Sequence, residues 1–272
     1  LKDKDEGLRF LDHGDHVGGL DLAIGANLDD ARFFDLPADL TDADLSGARL
    51  AGARAIQARM DGADLSGADV TGADLSGASL RRAVVAKVNL AGAALDGADL
   101  EGVLRAPPPL VYVDDQPLDA LVDAHEAFCT SGGKAGKAMK TAEVDVRPLR
   151  SLAARTLSGL ACPGSVFFRM DLRDVQLQGA DLSRCDFRGA DLRGADLRGA
   201  RLIGAHMTRA DLRGARLGPL KIGDGRYLRT DLTHAVLRGA DLREARAFRA
   251  RLLEADLTAA RLEGADLREA ET

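Results

Sequence analysis

Tryptophan is absent from this chain, tyrosine occurs twice, and aromatic residues make up only 4% of it. Any core must therefore be aliphatic, held by leucines that each contribute on the order of 1.5–3 kcal/mol when buried. Cysteine is also scarce. Cys129 and Cys162 have no metal-like spacing, and Cys185 sits in an inward slot usually filled by Ala. That pattern excludes a disulfide framework and points to reduced thiols in a cytoplasmic setting. No apolar run approaches the roughly 18 residues of a membrane-spanning helix, so no membrane partner is expected. The opening Leu1-Lys2-Asp3-Lys4-Asp5-Glu6 is charged and does not read as a signal peptide, and Leu1 in place of Met leaves room for residues upstream. Catalytic patterns are missing as well. There is no Ser/His/Asp set and no His-Glu-x-x-His, and Gly136-Lys137 is followed by Ala138 where a phosphate loop needs Ser or Thr. Asp12-His13-Gly14-Asp15-His16 is the densest acid/His cluster, and it reads as a solvated turn. These absences argue against an enzyme and against any cofactor or metal.

What the chain has instead is a period. An apolar residue, nearly always Leu, occupies every fifth position from Leu172 to Leu267, with Ala247 the small exception, and an earlier block does the same from Leu40 to Leu100. Ala usually stands two places before the Leu, Asp or Arg one place before it, and a polar residue after it. A helix turns about 500° in five residues, so successive leucines would drift by about 140° and share no face. A flat strand fails too, because an odd period sends alternate leucines to opposite faces. Ala and Leu are nevertheless two apart within each unit, which is the strand relation. A corner must turn the chain once per unit so that both point inward again. Gly at the unit's last place, as at Gly67 and Gly194, gives that corner its conformational freedom.

The units Ala-Asp-Leu-Ser-Gly (43–47, 63–67, 73–77) and Ala-Asp-Leu-Arg-Gly (190–194, 195–199) resemble those of pentapeptide-repeat proteins, over roughly residues 36–103 and 165–270. The resemblance implies an all-β solenoid, a right-handed quadrilateral β-helix with four units per coil, here in two repeat blocks with a short helical insertion between them. With no catalytic set, a stiff rod of outward side chains reads as a non-enzymatic protein-protein interaction scaffold whose partner is a protein of unknown identity or a second copy. Some family members resemble duplex DNA in shape and negative charge and modulate DNA gyrase, which is the alternative. This chain departs from those members. Residues 20–103 hold 14 acids against 7 bases, but residues 165–272 hold 17 against 20 and carry no added C-terminal helix. The balanced charge and the lack of interleaved aromatics also argue against direct nucleic-acid binding.

The organisation reads as an irregular segment or cap at 1–35, a first repeat block at 36–103, an insertion at 104–149 and a second block at 150–272. Out-of-register repeats stand at Ala26-Asn27-Leu28 and Ala31-Arg32-Phe33. Pro107-Pro108-Pro109 ends the first stack. Asp114-Asp115-Gln116-Pro117 reads as the cap of a helix over 118–130, with Leu121, Val122, His125 and Phe128 facing a coil stack. His125 and Cys129 read as core neighbours, and Lys134, Lys137 and Lys140 as a flexible solvated loop.

Two surface features stand out. Asp171, Asp191, Asp211 and Asp231 fall twenty apart, with Arg173, Arg193 and Arg213 beside them, and predict a charged ladder. The outward position after the central Leu holds Leu228, Phe248 and Leu253. Leu228 and Phe248 should stack in adjacent coils with Leu253 one face round, forming an apolar contact patch.

Overall fold

The structure, a computed structural model, describes residues 38–107 and 110–272. The segment 1–35, with its Asp12–His16 cluster and its out-of-register repeats, lies outside the described residues.

One unit shows why the sequence repeats as it does. In residues 63–67 the N–H of Asp64 donates to the carbonyl of Ala43 one coil back, at 2.9 Å. Those of Leu65 and Gly67 donate forward to Val84 and Ala86, each at 2.8 Å. The N–H of the next Ala, Ala68, closes the corner onto the carbonyl of Leu65 at 2.9 Å. The N–H of Ser66 finds no backbone acceptor, and the carboxylate of Asp64 takes it at 2.9 Å. Aspartate one place before the Leu is thus an Asx turn that completes the backbone pairing of its corner. Gly67 turns that corner at φ +68°, in the left-handed region. Ala63 and Leu65 point inward and are buried.

Stacking such units gives parallel bridges between residues twenty apart, as in Asp44 to Asp64 to Val84 to Leu104. The chain forms two compact units, Leu1–Ala106 and Pro107–Thr272. In the first, Leu40, Leu45, Leu50, Met60, Leu65 and Leu80 stack along the axis, and Leu90 and Leu100 are exposed at its C-terminal end.

The second unit opens with a tight hairpin, β1 (Tyr112–Val113) and β2 (Gln116–Pro117), that leads into helix α1 (Leu118–Thr130). Here the structure corrects the reading of an acidic helix cap. Asp114 and Asp115 are the two turn residues of the hairpin, both at positive φ, and the N-terminus of α1 has no side-chain cap. Leu118, Val122 and His125 are the buried line of α1, one turn apart, whereas Phe128 is 37% exposed and packs on Gly133 instead. Arg155 pairs with Asp123 and Glu126, and Glu126 also accepts the N–H of Thr156 at 2.8 Å, so α1 is tied to the first coil of its unit. The lysine loop is less free than its composition predicts. Lys137 donates its N–H to the carbonyl of Ala124 at 3.0 Å, and Gly136 lies so close to α1 that a Cβ there would meet that carbonyl.

Rungs of the second stack reach back to Lys140, ahead of residue 150, at first with a spacing of twenty-one. From Ser151 onward the spacing is twenty until Arg201, which bridges to Asp231, thirty residues on. The chain leaves the coil after Gly218 and returns at Thr230, ten residues later than an uninterrupted coil would. Most of the residues between form a second hairpin, β3 (Leu220–Gly223) and β4 (Arg226–Leu228), around the turn Asp224-Gly225. Ile222 and Tyr227 lie on the five-residue grid but stand outside the stack.

Candidate protein-interaction surface

Hairpin β3–β4 interrupts the coil of the second unit between two of its rungs. Leu220 and Leu228 turn back onto the coil corner at Gly199, where a Cβ would lie 2.8 Å from Cβ of Leu220 and 3.2 Å from Leu228. At its base Thr230 is fully buried in a slot that other units fill with Ala. Its hydroxyl accepts the N–H of Gly199 at 2.9 Å and lies 3.0 Å and 3.1 Å from the carbonyl oxygens of Gly218 and Leu197, one of which takes its proton. The base is therefore fixed while the tip is presented: Ile222 is 53% and Tyr227 56% exposed.

This arrangement changes the expected contact patch. Leu228 and Phe248 do not stack, because Leu228 belongs to β4 and lies outside the coil, where it is 38% exposed. Phe248 sits half-buried, on the column Arg198, Gly218, Phe248, Arg268, with Arg249 over its ring at 4.9 Å from the centroid. Leu253 is 43% exposed on the neighbouring face. Ile222, Tyr227 and Thr230 were missed because ten is a multiple of five, so the grid runs through the insertion unchanged. The signals were local. Gly218-Pro219 breaks a coil, Asp224-Gly225 marks a hairpin, and Leu220 and Gly225 replace Ala in the small slots before Ile222 and Tyr227.

The charged ladder needs one similar correction. Asp171, Asp191 and Asp211 are bridged in succession, and the next rung is Asp241. Asp231 lies on the adjoining ladder, between Arg201 and Arg251, displaced by the hairpin. On the ladder each arginine is held by its own unit. Arg193 places Nε 2.8 Å and Nη2 2.6 Å from the two carboxylate oxygens of Asp191, and Arg173 and Arg213 do the same with Asp171 and Asp211. Each arginine also approaches the aspartate of the next coil, as Arg193 does Asp211 at 3.6 Å. Hydrogen bonds from Arg173 and Arg193 hold the carboxyls of Asp171 and Asp191 below the usual carboxylate range. Along this ladder Asp171, Asp191, Asp211 and Asp241 are each paired with the arginine two residues on.

His125 and Cys129 do come together, at 3.5 Å between Nε2 and Sγ. The N–H of Met139 donates to Nδ1 of His125 at 3.0 Å, so the ring proton sits on Nε2. Burial lowers the His125 pKa and raises that of the Cys129 thiol. All three cysteines are free thiols. Among the described residues no group of three or more His, Cys, Asp or Glu is placed to hold a metal ion, and no helix is long and apolar enough to cross a membrane.

A family model described as pentapeptide repeats matches the chain in eight copies, covering residues 38–102, 156–218 and 229–271. The chain belongs to the pentapeptide-repeat family. The match stops at residue 218 and resumes at 229, the limits of the hairpin, so β3–β4 is an addition to the repeat. Among solved structures, this pentapeptide-repeat protein is similar to HetL, involved in heterocyst differentiation regulation in the cyanobacterium Nostoc sp. strain PCC 7120. The identity is 29%, over 93% of this chain and 90% of that one, with a TM-score of 0.43. It is also similar to Rfr23 from the cyanobacterium Cyanothece 51142 (22% identity, 45% and 91% coverage, TM-score 0.40). A third is QnrB1, a plasmid-mediated fluoroquinolone resistance protein (16% identity, 92% and 84% coverage, TM-score 0.29). No curated relative matches the chain at the level of sequence.

Proposed function

We propose that this protein is a non-enzymatic scaffold for protein-protein interaction, and that the tip of hairpin β3–β4 is a contact element. In this reading two quadrilateral β-helical blocks, separated by the insertion that carries α1, hold their surface side chains in fixed register. The observation that carries it is the exposure of Ile222 and Tyr227 on a hairpin whose base is anchored by Thr230. Two large apolar side chains standing off a charged surface gain most when a partner covers them. The outer edge of Leu228, next to Tyr227 on β4, extends the same apolar area, and Leu253 is a separate exposed side chain on the coil. The ladder does not support the DNA-mimic alternative, because its aspartates are each neutralised by an arginine of their own unit.

The test is site-specific photo-cross-linking from position 224 in the hairpin turn, with a probe at position 193 on the ladder as comparison. Position 224 should capture a discrete protein, a second copy of this chain included, and the double variant Ile222→Ser with Tyr227→Ser, carrying the same probe, should abolish that product without lowering the melting temperature. Equal capture by the double variant would remove the hairpin from the contact.

A further inference from the structure

Departure of the hairpin leaves a notch in the coil beneath it. The outward column of this face runs Arg198, Gly218, Phe248, Arg268, and at Gly218 it has no side chain. A Cβ built there would meet only backbone oxygens, at 3.6 Å and 3.8 Å. The resulting groove has a volume of about 590 Å³ and is lined by Arg198, Arg216, Arg246 and Arg268, by Phe248, and by the two carboxylates Asp266 and Glu269.

The charge in this groove is unlike that of the rest of the unit. Elsewhere in the described residues arginines on bridged rungs face Asp, Glu or Ser, but Arg216 bridges directly to Arg246. Two like charges on adjacent rungs, about 4.8 Å apart along the stack, repel each other unless an anion lies between them. Local carboxylates supply only part of that anion. The buried Asp196 is taken in a bidentate pair by Arg198, with Gln178 donating to it at 2.9 Å, and Arg216 reaches it only at 3.6 Å. Asp266 is taken by Arg268, and Glu269 by Arg249. Arg246, on the rung between Arg216 and Asp266, is exposed and makes no close ion pair among the described residues, Asp266 being held by Arg268.

We propose that this groove binds an acidic segment of a protein partner, with a carboxylate held between Arg216 and Arg246 and an aliphatic stem packed on Phe248. The site belongs to the interaction function proposed above but uses a different surface from the hairpin tip. Guanidinium groups pair well with carboxylates, and the half-buried ring offers an apolar floor beside them. The rungs from Arg198 to Arg268 span about 14 Å at the strand spacing, the length of an extended segment of about four residues. A nucleic-acid strand fits less well, since it needs a continuous basic track and Asp266 and Glu269 in the lining interrupt this one, whereas a single carboxylate of a peptide needs only the Arg216–Arg246 pair.

Fluorescence anisotropy of fluorescein-labelled hexaglutamate, hexalysine and a single-stranded DNA hexamer against the full chain tests the proposal. Hexaglutamate should bind, and hexalysine should not. Arg246→Ala should weaken hexaglutamate at least tenfold, and Gly218→Met, which fills the notch and leaves every arginine in place, should do the same. Arg193→Ala, on the paired ladder, should leave binding unchanged. Melting temperatures of all three variants should match the parent. Hexaglutamate binding that ignores both Arg246→Ala and Gly218→Met would overturn the site. DNA binding as tight as hexaglutamate, and lost in the same two variants, would overturn the choice of ligand. Loss of cross-linking in the hairpin variant with hexaglutamate binding retained separates the two surfaces, and failure here leaves the hairpin reading standing.

Discussion

At the scale of single residues, the repeat is a solution to backbone bookkeeping. The sequence shows that Asp precedes Leu and that Gly ends the unit, and charge alone suggests solvated ladder residues. The structure assigns Asp a more local task, because one N–H per unit has no carbonyl within reach. That use was not legible from spacing, since it depends on which amides the coil leaves over. The corner residues allow a sharp test. Gly199 and Gly214 both sit in the left-handed region, at φ +69° and +66°, so an Ala at either costs about 1–2 kcal/mol in conformation. Around Gly214 nothing lies within 4 Å, whereas at Gly199 the new Cβ would strike Leu220 and Leu228. Gly199→Ala should therefore lower the melting temperature clearly more than Gly214→Ala, and amide exchange should quicken across 220–228 only in the former. Equal losses with unchanged exchange would mean that the hairpin does not rest on that corner.

At the scale of elements, legibility follows from whether an element disturbs the period. Helix α1 was readable because residues 118–130 break the five-residue grid and show helical spacing. Hairpin β3–β4 was hidden because its ten residues restore the grid, and only the Asp-Gly turn and the missing small residues gave it away. Burial within α1 was partly readable: Val122 and His125 face the coil as expected, but Leu118 takes the place assigned to Phe128. His125 makes this contact pH-sensitive. Burial depresses its pKa below the ordinary 6.5, and Nδ1 is already committed to Met139. The unfolded state then binds the proton more readily, so the contribution of His125 is complete above about pH 6.5 and is lost as pH falls through the folded value. Amide protection of 118–130 should fall from pH 7 to pH 5 in the parent. His125→Asn keeps an acceptor for Met139 and removes the titration, and its protection should stay flat over that window. Parallel pH curves would show that His125 does not control the docking of α1.

At the scale of the whole molecule, stability in a stacked coil is close to a sum over neighbours, and each compact unit owns its core. Leu45, Met60 and Leu65 belong to one cluster of buried residues, and Leu182, Leu197 and Leu212 to another. Leu197 is fully buried among aliphatic neighbours, and Thr230 bonds to its carbonyl, so it also supports the base of the hairpin. Leu197→Asp would place a carboxylate in this stack with no donor to satisfy it. A charge buried without a partner costs several kcal/mol, comparable to the net stability of a domain. Hydrogen exchange read by mass spectrometry should show protection lost across the coils from Ser151 to Glu271 and from α1, which is tied to them through Arg155. Protection across the coils from Asp39 to Leu104 should remain near that of the parent, because their core contains none of the altered residues. Protection lost in both units would show that they fold as one cooperative body. Protection kept in both would place Leu197 outside the axis and break the inward assignment on which the coil description rests.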